Sequence, residues 1–178
     1  MERIAKFEKV SLQQFTEDWL RLFPDTPEER IREIHENIKL PKRATAGSAG
    51  YDFYAPVSFD LAAGEEILIP TGIRAKMDSS YVLVIVPRSS LGFKYRLQLD
   101  NTAGIIDSDY YNARNEGHMM CKLINDSREN RTLHLQAHDA MVQGLFLPFG
   151  ITVDDDAQEQ RTGGFGSTTE NSKLERTE

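Results

Sequence analysis

The stretch EILIPTGIRAKMDSSYVLVIV, residues 66–86, decides the fold. It reads as three apolar runs, Glu66 to Pro70, Gly72 to Met77 and Tyr81 to Val86, broken at Thr71 and by the turn-forming Asp78-Ser79-Ser80. Each run has the length of a strand and is too short for a helix. Tyr81 to Val86 is apolar at every position, which predicts a central strand buried on both faces. Further along, His118 to Ile124, Thr132 to Ala137 and Met141 to Pro148 have the same texture, with Gly, Asp and Ser between them. No repeat at a fixed period is visible, and many short strands with frequent turns predict an all-β barrel or sandwich over residues 39–153.

Before that core the period changes. Leu12, Phe15, Trp19 and Leu22 stand at helical spacing behind a Ser11-x-x-Gln14 capping box, so residues 10–23 predict an amphipathic helix. Pro24 ends it, and Thr26-Pro27-Glu28-Glu29 opens a second helix with its own capping box and a proline in its first turn; Ile31, Ile34 and Ile38 form its stripe. Residues 1–38 are thus expected as a helical hairpin packed on the domain or on a neighbouring subunit, with His35 at the surface. After about Asp154 the chain turns polar, and residues 154–178 have too little apolar surface to hold themselves in place, which predicts a flexible arm. Phe165, flanked by glycines and preceded by Arg161, is the one large aromatic there suited to cover something flat.

A chain of 178 residues can bury one sizeable core, so one domain is expected. Hydrophobic residues at 39% and charged residues at 28% fit a soluble globular protein, and no apolar run approaches the roughly 18 residues of a membrane span. Met1 to Val10 lacks the apolar centre of a signal peptide and the single Cys121 has no internal partner, which together predict a cytoplasmic protein. A formal charge of -7 argues against nonspecific binding to nucleic acid, which needs clustered Lys and Arg. An anionic small substrate would need a local basic pocket.

Three stretches carry chemistry. In Asn101 to Tyr110, the pair Ile105-Ile106 runs into Asp107 and then turns through Ser108-Asp109-Tyr110, which sets a carboxylate where a buried strand meets a loop, a suitable address for a general base. Pro87-Arg88-Ser89-Ser90-Leu91-Gly92 sets a guanidinium, two hydroxyls and backbone N–H groups in a loop at a strand end, a combination suited to phosphate oxygens. Ala46 to Asp52 is a small-residue turn running into an acidic residue that can cap backbone amides.

In chain order, Gly47 to Phe53, Pro87 to Gly92 and Asn101 to Tyr110, with Gln143 after an apolar strand and Gly163-Gly-Phe-Gly-Ser-Thr168, resemble the trimeric dUTP diphosphatase (deoxyuridine triphosphatase) family. The resemblance spans about Lys39 to Thr168 and leaves only the N-terminal extension unaccounted for. It implies a distorted β-barrel of the β-clip type and a homotrimer with active sites built where subunits meet. It also implies hydrolysis of dUTP to dUMP and pyrophosphate, with Asp107 activating water. Asn101 and the backbone of Gly104, Ile105 and Ile106 would read uracil opposite Met120, and Tyr110 would pack on the deoxyribose. Arg88, Ser89, Ser90 and Gln143 would hold the phosphates, and Asp52 would orient water on a Mg²⁺ chelated by the triphosphate. Phe165 would stack on uracil while Arg161, Gly166, Ser167 and Thr168 close over the outer phosphates.

The chain departs from the family pattern in four places. Ser90 stands where Gly is usual, the loop Tyr111 to Glu116 is longer, Ala140 replaces a common Arg, and in the arm Arg161 lies one residue closer to Gly163 while Thr169 replaces a Gly. Two rival readings share the pocket. A dCTP deaminase-like enzyme would need a catalytic glutamate where Lys122 stands. A dUTP-sensing regulator would bind the nucleotide and act on a protein partner.

Overall fold

Strand pairing is antiparallel throughout the computed structural model, which describes residues 2–158. In chain order the elements are β1 (Ala5–Lys9), α1 (Leu12–Leu22), α2 (Glu28–Asn37), β2 (Lys42–Arg43), β3 (Tyr51–Tyr54), β4 (Phe59–Leu61), β5 (Glu66–Pro70) and β6 (Ile73–Met77). There follow β7 (Tyr81–Pro87), α3 (Ser89–Tyr95), β8 (Leu97–Leu99), β9 (Gly104–Ile106), a 3₁₀ turn (Ser108–Asn112), β10 (Met120–Asn125), β11 (Leu133–Leu135) and β12 (Ala140–Pro148). The strands form sheets ordered β2-β3-β12-β7-β9, β5-β10-β8, β1-β6 and β4-β11 around one apolar core. This is the expected all-β, barrel-like architecture.

The three apolar runs of residues 66–86 are all strands, at β5, β6 and β7. β7 is central, between β12 and β9, but burial on both faces is not what it has within the chain. Leu83 and Ile85 are buried in the core, whereas Val82, Val84 and Val86 are only half-covered. The run Pro87 to Gly92, expected as a loop, instead enters the short helix α3. His118 precedes its expected strand rather than opening it, and β10 begins at Met120.

The first 38 residues are not helical throughout. β1 pairs with β6 across Ala5↔Met77 to Lys9↔Ile73, so the chain enters the barrel before it leaves to form the hairpin. Helix α1 starts as its capping residue predicts, with the Gln14 amide donating to Ser11 Oγ at 3.1 Å. The reciprocal half of that capping box is absent, because Ser11 N–H donates to Glu116 and the Gln14 side chain donates to Asp18. Nor does the second capping box form: Pro27 is the cap, without a side-chain bond, and Thr26 Oγ1 accepts from Trp19 Nε1.

The hairpin buries its predicted stripes in the common core, where Phe15, Trp19, Ile31 and Ile34 join Phe53 and Leu83 in one cluster. At about 25 cal/mol per Å², each such side chain contributes roughly 1.5–3 kcal/mol. His35 is not a surface residue: its ring packs 5.4 Å from that of Phe15 and Nε2 lies 2.8 Å from Val10 O. Where hairpin and barrel meet, Gly72 has φ +69, and a Cβ there would collide with Ile38. Only glycine fits that position.

Candidate active site

Between the inward side of β7 and β9 and the strand β10 lies a cleft of about 510 Å³. Asn101, Gly104, Ile106 and Met120, four of the residues assigned to base recognition, line it together with Phe53, Ile85, Leu99 and Met119. Gly104 packs closely on the paired strand, where a Cβ on it would stand 3.2 Å from Cβ of Ile85, a tight contact. Asn101 is carried by a tight turn in which Thr102 has φ 70 and its N–H donates to Leu99 O at 2.8 Å. Ile105 alternates to the other side of the sheet and is 59% exposed, so only its backbone shares the cleft's strand. Cys121 also lines the cleft, and burial pushes its thiol up to about 12, which removes it as a nucleophile.

A second group gathers at the far end of β7. Asp52 of β3 pairs with Gln143 of β12, which pairs in turn with Val86, so the sheet register brings the acid and the amide beside Arg88. Arg88 Nε lies 3.0 Å from Asp52 Oδ1, and Gln143 Nε2 donates to Pro87 O at 3.2 Å. Ser89 and Ser90 follow with exposed side chains in the first turn of α3. Guanidinium, amide and hydroxyl donors close together suit anionic oxygens.

Asp107 follows β9 in extended conformation, partly buried, and its carbonyl accepts the Tyr110 N–H at 3.2 Å as the chain turns. Tyr110 is 3% exposed; its hydroxyl donates to His118 O at 2.9 Å and accepts from Asn115 Nδ2 at 2.8 Å. Neither residue lines the cleft, nor does any of Asp52, Arg88 and Gln143. Within one chain the structure therefore assembles a largely apolar cleft and a separate polar cluster. Arg161, Phe165, Gly166, Ser167 and Thr168 lie outside the described residues.

The dUTPase family profile matches residues 36–169. This chain belongs to the dUTPase family. It is 46% identical over 134 residues to the deoxyuridine 5'-triphosphate nucleotidohydrolase of Lactococcus lactis subsp. lactis, covering 74% of this chain and 88% of that one. The enzyme of the same name from Tolumonas auensis is 39% identical over 143 residues, 76% of this chain and 90% of that one. A crystal structure of dUTPase from Streptococcus mutans superposes with a TM-score of 0.60 at 36% identity, over 82% of this chain and 97% of that chain. A mutant dUTPase from phage phi11 of S. aureus, 17% identical with a TM-score of 0.61, shares the fold, and in that protein a structural Mg(II) ion is coordinated.

The dUTPase cleft has walls that the sequence reading missed. Asp18, Arg21 and Leu22 of α1 line it, outside the span matched by the family. So do Asn115, on the longer loop, and the pair Asp100 and Lys122. One signal was available: Asp18 sits three residues after Phe15 and four before Leu22, so a carboxylate falls on the apolar stripe of α1. Hydrogen bonds to Asp100 and Glu66, at 2.6 and 2.7 Å, raise the pKa of Lys122 and hold it charged.

Proposed function

We propose that the chain hydrolyses dUTP to dUMP and pyrophosphate, with uracil in the cleft and Asp107 as the general base. The observation that carries this reading is strand β9, whose Gly104 and Ile106 line the cleft and whose next residue is Asp107. A base held against that strand leaves its sugar and α-phosphate directed along the chain toward the carboxylate. Asp107 then takes a proton from the water that attacks the α-phosphorus in line, and pyrophosphate leaves. Asn101 and the backbone of β9 read the edge of uracil opposite Met120, and Tyr110 packs beside the sugar. Arg88, Ser89, Ser90 and Gln143 hold the phosphates. Phe165, with Arg161, Gly166, Ser167 and Thr168, covers the bound nucleotide.

The substrate reaches both groups of residues if the enzyme is a homotrimer. Support comes from the outward side of the β12-β7-β9 sheet, where Ile105 is 59% exposed and Leu147 47% exposed beside the half-covered Val82 and Val84. A contiguous apolar sheet face of this kind marks a protein contact. Burying it against another subunit lets the Asp52-Arg88-Gln143 cluster of one chain complete the cleft of the next.

Mg²⁺ fits the donors present. Among the described residues no group of three His, Cys, Asp or Glu could cage a metal, while Asp52 offers one carboxylate beside Arg88. One carboxylate suits an ion held mainly by triphosphate oxygens and retained waters. Bound there, Mg²⁺ would disperse the negative charge of the phosphates. Lys122, neutralised by two carboxylates where a deaminase needs a glutamate, disfavours ammonia release from dCTP. No helix among the described residues is long and apolar enough to cross a membrane.

Pyrophosphate release from dUTP, dCTP, dTTP and UTP, each with and without Mg²⁺, tests the reading. Metal-dependent turnover confined to dUTP is expected. Release of ammonia from dCTP, or equal turnover of all four nucleotides, would overturn it.

A further inference from the structure

The N-terminal hairpin is a connection between β1 and β2, yet it does more than cover the core. Asp18 is 2% exposed and His118 0% exposed, and they meet at 2.7 Å between Oδ2 and Nδ1. The backbone N–H of Gly72 donates to His118 Nε2 at 2.7 Å. A backbone N–H can only donate, so Nε2 carries the lone pair, and the ring proton sits on Nδ1 pointing at Asp18. Gln14 Nε2 donates to the same carboxylate oxygen at 2.8 Å. Burial works against the Asp18 carboxylate, but hydrogen bonds from His118 and Gln14, together with charge interactions that include Arg21 at 3.5 Å, hold its pKa below the ordinary value.

What this carboxylate fixes is the part of the chain that forms the cleft. His118 O accepts the Tyr110 hydroxyl at 2.9 Å. The next residue, Met119, is held by Thr71 Oγ1 on its carbonyl at 2.7 Å and lines the cleft beside Met120. The loop between Tyr110 and His118 is tied to the same hairpin, because the Glu116 carboxylate accepts both the N–H and the hydroxyl of Ser11, at 2.7 and 2.6 Å. A buried carboxylate is a costly way to hold a helix on a barrel, since an apolar residue of similar size does that without desolvation. Its use here indicates that orientation is what matters.

We propose that helix α1 is a wall of the base-binding cleft and that Asp18 is a positioning residue for substrate recognition, acting through His118 on Tyr110 and on the segment that carries Met119 and Met120. The inference rests on the base occupying the cleft. It makes the hairpin, which lies almost wholly outside the matched span of 36–169, part of the recognition apparatus of this dUTPase.

The test is steady-state hydrolysis of dUTP and UTP by the full-length protein. Asp18→Leu removes the acceptor, and Asp18→Asn keeps an oxygen for the His118 Nδ1–H. Asp18→Leu should raise KM for dUTP about tenfold and lower the dUTP/UTP preference, with kcat nearly unchanged, as misplacement of binding groups remote from the general base predicts. Asp18→Asn should recover most of both. A purely structural role would lower the melting temperature but leave KM and the preference of the folded protein as they were, and that result overturns the proposal. Should Asp18→Leu not fold, Leu22→Ala, at a half-buried position on the same wall, should raise KM severalfold; an unchanged KM there also overturns it. Asn101→Ala, run in parallel, separates the two levels of the reading. If it raises KM while the α1 variants do not, only the hairpin's role fails; if it too leaves KM unchanged, the base does not lie in the cleft.

Discussion

The two sides of β7 have nearly the same composition and opposite fates. On one side Leu83 and Ile85, 0% and 3% exposed, pack into the core against Phe53 and β9, and their neighbours form the wall of a cleft. On the other, Val82 and Val84 face outward with Ile105 and Leu147, and the described residues leave the two valines only half-covered and the other two exposed. A strand that is apolar at every position needs two layers. One layer is the chain's own core, and in the proposed homotrimer the other is a second chain. On the proposed function, the inward side sets stability and base recognition, while the outward side sets assembly and, through it, the completeness of the site.

The largest effect is expected from charging the outward side. Val84→Asp should leave the chain folded but sediment with a single chain's mass, and pyrophosphate release should be lost almost entirely, because an unpaired carboxylate cannot be buried in an apolar contact. The inward counterpart, Leu83→Ala, should cost about 2–5 kcal/mol in unfolding free energy by leaving a cavity, without a change of assembly. If both variants keep their mass and differ only in melting temperature, the two sides are not distinct in function.

Next in size is Asp107→Asn, at the end of β9 where the two sides meet. Amide and carboxylate are close in shape, so the oligomer and binding of a nonhydrolysable dUTP analogue should survive, while turnover falls at least about a hundredfold. Near-normal turnover would show that the base is another residue. A smaller effect is expected for Tyr110→Ala, read as the ratio of kcat/KM for dUTP to that for UTP. Opening space beside the 2' carbon should lower that ratio, whereas equal losses on both substrates would make Tyr110 a packing residue alone.

What could be read from sequence, and what could not, follows the same division. Strands β5, β6, β7 and β12 were legible because short apolar runs between turn residues have few alternatives, and the stripes of α1 and α2 because Phe15, Trp19, Ile31 and Ile34 keep helical spacing. β1 was not legible: AKFEK alternates with a single buried residue, Phe7, and becomes a strand only because β6 offers an edge. Continuous hydrophobicity in β7 signalled two-sided burial but could not tell a chain's own core from a partner's surface. At the site, Asn101, Gly104, Ile106 and Met120 were found through ordered motifs and meet in one cleft. Asp18, Arg21 and Leu22 were not, since their contribution depends on where a hairpin docks, and local periodicity does not encode that.

The smallest expected effect lies at the edge where β1 joins the cleft's outer loop. Glu8 accepts hydrogen bonds from Lys6 Nζ at 2.8 Å and from the Tyr111 hydroxyl at 2.6 Å, and Arg74 lies 3.4 Å away. The bond from Lys6 first, and then that from Tyr111, outweigh partial burial and lower the pKa of Glu8 from 4.5 to about 2. A carboxylate whose folded pKa lies below its unfolded value stabilises the fold above the unfolded value. That contribution is lost as pH falls through the folded one. It is therefore fully present above about pH 5 and fades between there and pH 2. Solvent reaches this group, so the contribution at neutral pH should be no more than about 1 kcal/mol. Melting curves of the parent and of Glu8→Gln should differ by a small constant amount at neutral pH and draw together as pH falls from about 5 toward 2. If the gap persists unchanged down to pH 2, the charge of Glu8 is not what ties the loop that starts at Tyr111 to β1, and the edge is held by packing of Arg74 on the Tyr111 ring, 4.5 Å away, instead.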